Sequence, residues 1–326
     1  MPDAIATRSG GAEELGHVDG RYVDAPLAKV LVPTAADEPR IVGLTADLGR
    51  VTDMDPFRDA YPDRFFNVGM AEFNMISVAS GLAQTGKIAF ATTFGTFASR
   101  RAYESVMITA AHSALDVKII ACKPGLTNSY GATHQPIEDT ALMRMIPDMH
   151  VIDPADAIEF MSAVRVMAET PGTFYIRGFR GRVPAYLPED YEFVLGKAAL
   201  LRDGTDVGII SSGMMTPKAL AVADRLAAAG VDVAVLHTPS IKPFDHEAVA
   251  SFASEHERLV AAENHRTTGG MISLVAETLC DHGLARRFAK VGLADEYFEC
   301  GSEAYLEARH GIDEAAIERA VREAIA

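Results

Sequence analysis

Residues 67–86 read NVGMAEFNMISVASGLAQTG. Met75, Val78, Ala79 and Leu82 fall on one stripe of a 3.6-residue repeat and Gly86 supplies a stop, so the spacing predicts a helix opening at Glu72. Just upstream, FFNV at 65–68 has the character of a short strand. A strand that turns directly into a helix is the repeating joint of a parallel α/β sheet, and open sheets of that kind bind ligands at the carboxyl ends of their strands. Glu72 stands at such a joint as the single carboxylate of a mostly apolar segment. A negative side chain also suits the first turn of any helix through the macrodipole. The glutamate alone therefore leaves a binding role and a helix-end role both open.

Working outward, the same rhythm continues. RIVGLTA at 40–46, IAFATTF at 88–94, VKIIAC at 117–122, MHVID at 149–153 and TFYIRG at 173–178 are apolar runs separated by longer segments, the pattern of a parallel sheet with crossover helices. At 181–195 it lapses into GRVPAYLPEDYEFVL, whose two prolines and acidic pair suggest a linker. A shorter α/β unit follows, with strands expected at DVGIISS (206–212), VDVAVLH (231–237), RLVAAEN (258–264) and FAKVGL (288–293). Its first helix is expected to start at Thr216–Pro217, a capping residue followed by proline. Its last helix would put Ala316, Ile317, Ala320, Val321 and Ile325 on one side. The expected organisation is a leader over 1–24, an α/β domain over 25–185 and a second, smaller α/β domain over 186–326.

Composition narrows the classes of function. The 326 residues are 48% hydrophobic and 23% charged, and 30 basic against 45 acidic side chains give a formal charge of −15. That balance argues against a nucleic acid or an anionic membrane as the main partner. No apolar run approaches a membrane span and the start, MPDAIATRSGGAEELG, lacks the core of a secretory signal, which leads us to expect a cytoplasmic protein. Cys122, Cys280 and Cys300 are widely spaced without a CxxC pattern, so neither a zinc site nor a disulfide framework is indicated and buried, reduced thiols are expected.

Two further stretches carry candidate chemistry. In TTFGTFASRRAYESV (92–106), Phe94 and Phe97 stand three apart at a strand-to-helix junction with Arg100 and Arg101 just behind. Rings at that spacing share a face if the helix has begun, and core packing is the alternative use for them. GATHQPIEDTALMRMIP (131–147) puts His134 in a Gly-containing polar loop before another helix, where it either hydrogen-bonds its own loop or serves a ligand.

Taken in order, TADL (45–48), FNVGMAEFNM (66–75), FGTFASRRAYE (94–104), GATHQPIED (131–139), MHVIDPADAIE (149–159) and FYIRGFRG (174–181) resemble the pyrimidine-binding domain of transketolase. AAENHRTTGG (261–270) and CGSEAYLEARHGID (300–313) are similar to that family's C-terminal domain. The resemblance covers nearly everything after residue 25. It implies thiamine diphosphate as cofactor, with the Glu72 carboxyl facing N1′ of the aminopyrimidine ring and so favouring the imino tautomer, whose nitrogen takes the weakly acidic C2 proton of the thiazolium. Phe94 and Phe97 become the aromatic wall against which the pyrimidine stacks. Asp47 falls at a cofactor-side aspartate. His134 matches the histidine that donates to the reacting end of the sugar, and Arg177 matches an arginine that grips its distal anion, a phosphate or sulfonate. Arg101 and Arg180 are further candidates for the substrate.

Two positions depart from the pattern. Members acting on ordinary sugar phosphates carry histidine where this chain has Cys122 and aspartate where it has Tyr130, both touching sugar hydroxyls, and their joint replacement points to a substrate with a different hydroxyl pattern. Apulose 4-phosphate and sulfofructose are such sugars. The family's GDG signature for Mg2+ and the diphosphate does not occur in the sequence. The resemblance therefore implies the small subunit of a split transketolase, completed by a diphosphate-binding partner in an A2B2 heterotetramer. Its activity would be the transfer of a two-carbon ketol unit from a ketose phosphate or sulfonate to an aldose. The rival readings are the β subunit of a 2-oxoacid dehydrogenase, whose glutamate normally stands in a PLSEQG-like context, and a non-catalytic assembly module. 1-Deoxyxylulose phosphate synthase is normally a single longer chain.

Overall fold

The computed structural model describes residues 21–326, and the residues expected as a leader lie outside it up to position 20. The chain folds as two compact units. The first holds the described residues up to Pro124 with 146–150 and 156–194, and the second holds 125–145, 151–155 and 195–326.

In the first unit, β1 (Arg21–Asp24) is followed by β2 (Ile41–Thr45), β3 (Phe65–Asn67), β4 (Ile88–Phe94) and β5 (Val117–Cys122). β6 (His150–Ile152) passes into the second unit at Val151, and β7 (Phe174–Gly178) and β8 (Arg182–Ala185) belong to the first. Five of these strands are parallel in the order β7-β5-β4-β2-β3. β4 and β5 are buried at every position, with Ala89 opposite Val117 and Phe94 opposite Cys122. Covered on both faces, they carry no polar alternation, which is why they read as continuous apolar runs. Gly43 in β2 lets Phe57 approach, since a Cβ there would lie 2.7 Å from the ring.

The helix Glu72–Gln84 follows β3 as expected, but its buried face is Met75, Ile76, Ala79 and Ser80, with Val78 and Leu82 only half-buried. Ser80 can face inward because its hydroxyl donates to the Ile76 carbonyl at 2.8 Å. The stretch expected as a linker is anchored to the first unit. β8 pairs antiparallel with β1, so the leader ends in a strand. Beyond β8, the Asp156 carboxylate accepts the Tyr186 and Leu187 N–H groups at 2.6 and 2.7 Å while capping the helix Ala157–Glu169.

In the second unit, β9 (Ala199–Arg202), β10 (Val207–Ser211), β11 (Val233–His237), β13 (Arg258–Arg266) and β14 (Arg287–Leu293) form a sheet ordered β14-β13-β10-β11-β9, antiparallel only at β9. The short β12 (Ser240–Lys242) pairs antiparallel with Val151 and Ile152 of β6. Ile209, Val235 and Val260 pack with Met215, Leu226 and Val321 in one apolar cluster.

Two expectations for this unit are corrected. The helix begins at Met215, and Thr216 does not cap it: its hydroxyl lies inside, 2.8 Å from Ser211 Oγ and 2.7 Å from His237 Nδ1. In the last helix, Glu314–Ile325, the inner face closes with Ala324, and Ile325 is exposed. No helix among the described residues is long and apolar enough to cross a membrane.

Candidate active site

Glu72 is the first residue of its helix, held at the carboxyl edge of β3, and its side chain is only 4% exposed. Burying a carboxylate is costly unless a cation or N–H donors face it. Arg101 provides one, with Nη1 3.4 Å from Glu72 Oε2, while most of its side chain stays in water. The same guanidinium lies 4.3 Å over the Phe97 ring. Phe97 stacks in turn on Phe94 at the end of β4, with centroids 6.0 Å apart and planes at 29°. Glu72, Arg101, Phe97 and Phe94 thus form one contiguous group, a buried acid beside a short aromatic wall.

The local backbone explains how Arg101 joins it. Phe97–Arg101 is a π-helical turn, with the Ala102 N–H donating to the Phe97 carbonyl at 3.2 Å, and Val106–Ala111 is a second. Such widened turns recur at functional sites. Asp47 also lies at this edge, in a left-handed conformation after β2. Its Oδ1 accepts from Asn67 Nδ2 at 3.0 Å and its N–H donates to Asn67 Oδ1 at 3.1 Å, a reciprocal pair joining the ends of β2 and β3.

Of the remaining candidates of the first unit, Arg180 is half-buried, while Arg177 and Cys122 are interior. Arg177 is 2% exposed on β7, opposite Ala121 of β5 in the strand register. Cys122 is fully buried at the end of β5, and its thiol donates to the Phe179 carbonyl at 3.8 Å. Burial pushes that thiol up to about 12, helped by the charge of Asp53. An enclosed thiol of this kind is unreactive, and like Arg177 it presents almost no surface within this chain. The other two cysteines, Cys280 and Cys300, are exposed, contrary to the expectation of buried thiols.

Tyr130 and His134 belong to the second unit. Tyr130 is exposed and meets the His134 ring edge-on, with centroids 5.4 Å apart at 69°. Thr133 Oγ1 lies 2.8 Å from His134 Nδ1. Sequence reasoning missed Thr133, although its place beside the histidine was a usable signal. It also missed Asp53, whose carboxylate accepts the Gly181 N–H at 2.6 Å and is pushed up by burial. Among the described residues no group of three or more His, Cys, Asp or Glu side chains is placed to hold a metal ion.

An α/β sheet with a buried acid and an aromatic wall at its carboxyl edge, followed by a second α/β unit, is the arrangement of a pyrimidine-binding domain with a C-terminal companion. The chain belongs to the transketolase family: residues 23–185 match the transketolase pyrimidine-binding domain and residues 196–317 the transketolase C-terminal domain. A transketolase family protein of Sinorhizobium fredii is 43% identical over 92% of this chain and 88% of its own length. A 6-deoxy-6-sulfo-D-fructose transketolase subunit of a Clostridium species is 40% identical over 93% of this chain and 92% of its own. Among solved structures, a split-gene transketolase captured as an inactive β4 tetramer superposes with a TM-score of 0.85 at 39% identity, covering 92% of this chain and 97% of that one.

Proposed function

We propose that this chain is the pyrimidine-binding subunit of a split, thiamine-diphosphate-dependent transketolase that moves a two-carbon ketol unit from an anionic ketose to an aldose in the cytoplasm. The observation that carries the reading is the Glu72 carboxyl, 4% exposed, beside the stacked Phe94 and Phe97 rings. A flat heteroaromatic ring with a basic nitrogen fits that donor set: the phenyl wall takes its face and the carboxyl shares a proton at N1′. When bound, the cofactor supplies the carbanion chemistry that breaks and forms the carbon–carbon bond next to the ketose carbonyl. Arg101 balances the Glu72 charge before the ring arrives. Asp47, tied to Asn67, lines the cofactor side of the edge.

On the substrate, His134 donates to the reacting oxygen as charge develops, and Arg177 faces the distal anion. Tyr130, an exposed phenol where sugar-phosphate enzymes carry aspartate, selects against the ordinary hydroxyl pattern, and a phosphorylated or sulfonated ketose of unusual substitution is the donor. The diphosphate with its Mg2+ is assigned to a partner subunit in an A2B2 heterotetramer. The names of the relatives support this division, since the Clostridium protein is called a subunit and the solved neighbour is inactive as a tetramer of one chain.

The test is reconstitution. The chain alone is titrated with thiamine diphosphate and Mg2+ by calorimetry, then mixed with the diphosphate-binding chain and assayed for aldose release from sulfofructose, apulose 4-phosphate and xylulose 5-phosphate. Weak binding alone and ketol transfer in the mixture are expected. Micromolar binding by the isolated chain overturns partner dependence. Pyruvate condensation or 2-oxoacid oxidation in place of ketol transfer overturns the transketolase activity.

A further inference from the structure

The loop that carries His134 is clamped from within the second unit. The Tyr130 N–H donates to Asn128 Oδ1 at 3.1 Å and the His134 N–H donates to the Gly131 carbonyl at 2.9 Å. The Gln135 side chain, 1% exposed, donates from Nε2 to the carbonyls of Asn128 and Glu299 at 3.2 Å each. From the other side, the Gly301 N–H donates to the Ser129 carbonyl at 3.3 Å. Gly131, at φ +77°, passes so close to Cys300 that a Cβ would lie 2.9 Å from its sulfur. The backbone under the histidine is therefore held at both ends of the loop by the segment 299–301.

A fixed backbone leaves two questions about the imidazole: how it is rotated, and which nitrogen carries the proton. The Tyr130 ring at 5.4 Å and the Thr133 hydroxyl 2.8 Å from Nδ1 both bear on them. In a neutral imidazole one nitrogen donates and the other accepts, and the hydrogen bond made by one determines the role of its partner. A hydroxyl that donates to Nδ1 leaves the ring proton on Nε2. A donor toward a developing oxyanion needs that proton.

Resting on the role given to His134 above, we propose that Thr133 is a positioning residue: its hydroxyl donates to Nδ1, holds the ring against Tyr130 and presents protonated Nε2 to the substrate. Valine has nearly the same shape without the hydroxyl, and serine keeps the hydroxyl without the methyl, so the pair separates hydrogen bonding from packing.

The experiment has two arms. In the first, the unliganded chain is labelled with [15N]histidine and His134→Gln identifies the His134 signals in long-range proton–nitrogen spectra. The wild-type ring is expected to carry its proton on Nε2 with a hydrogen-bonded Nδ1. Thr133→Ser keeps that signature, and Thr133→Val loses the Nδ1 shift and admits the second tautomer. A wild-type proton on Nδ1, or an Nδ1 signal indifferent to Thr133→Val, overturns the proposal. The second arm uses the complex with the diphosphate-binding chain. Misplacing a reacting group by about 1 Å costs on the order of a hundredfold, so Thr133→Val is expected to lower kcat about tenfold or more with KM little changed, and Thr133→Ser to restore it. An unchanged kcat in Thr133→Val also overturns the positioning role. If the wild-type complex transfers no ketol unit, the transketolase reading fails, while the first arm still decides how the imidazole is anchored.

Discussion

Glu72→Gln separates the two uses of a carboxylate at a helix start. The amide keeps the shape and removes both the charge and the exchangeable proton. Arg101, the cation beside it, is 58% exposed at 3.4 Å, so the ion pair is a largely solvated one whose loss costs about 0 to 1 kcal/mol. Against that loss stands relief from burying a charge at 4% exposure. Stability of the chain is therefore expected to stay within about 1 kcal/mol of wild type, or to rise. Turnover is expected to behave differently. A positioned acid or base contributes about a hundredfold or more, which corresponds to about 2.7 kcal/mol of barrier. The assay pairs kcat of the reconstituted complex at saturating donor with the urea midpoint of the chain alone. Turnover within about threefold of wild type returns Glu72 to the role of a helix-end charge, since that is far less than acid–base catalysis supplies. A stability loss above about 2 kcal/mol shows a structural carboxylate, contrary to so weak a pairing.

Asp156→Ala removes four N–H acceptances, from Ile158, Glu159, Tyr186 and Leu187. The lost cap and two stranded linker amides are expected to cost about 3 to 5 kcal/mol, read from the urea midpoint. Lys118 is buried between the Thr170 and Gly172 carbonyls, at 2.7 Å each, and burial pushes its ammonium down from 10.5 to about 8 despite the opposing charge of Asp116. Between those values the unfolded chain holds the extra proton, so stability should rise with pH, by about 2 kcal/mol from pH 8 to 9.5, and the rise should be absent in Lys118→Met. Cys122→His forces an imidazole into an enclosed thiol site and is expected to cost about 1 to 3 kcal/mol or more, whereas Tyr130→Asp, at an exposed position, should stay within about 0.5 kcal/mol. In donor competition, Tyr130→Asp alone is expected to shift preference toward xylulose 5-phosphate, and an unaltered preference removes Tyr130 from substrate selection.

How far each element is legible in the sequence depends on how it is held. β4 and β5 stand on IAFATTF and VKIIAC, because a strand buried on both faces is mostly apolar, and the buried Lys118 in β5 is admitted by its own carbonyl partners. β1, β8 and β12 leave no such trace: three or four residues long, antiparallel, and carrying Arg, Pro or Lys, they have no pattern that a window can average. Thr216 misleads because a threonine before proline satisfies the capping rule locally, while the pull of Ser211 and His237 comes from strands that only the fold brings to it. The candidate site divides in the same way. Phe94 ends a strand and Glu72 opens the helix that follows one, so chain order alone places them on the carboxyl edge, and the motif order makes them visible. The use of Arg101 depends on a π-helical turn that no short-range rule predicts, and that of Thr133 depends on which ring nitrogen it meets. Residues that act on another side chain are legible only once that side chain has a position. Cys122 is a second case: family order places it near the sugar, and the fold encloses its thiol against the Phe179 carbonyl, which no sequence pattern announces. A motif therefore assigns a position on the sheet, and the packing around that position sets how its side chain is presented.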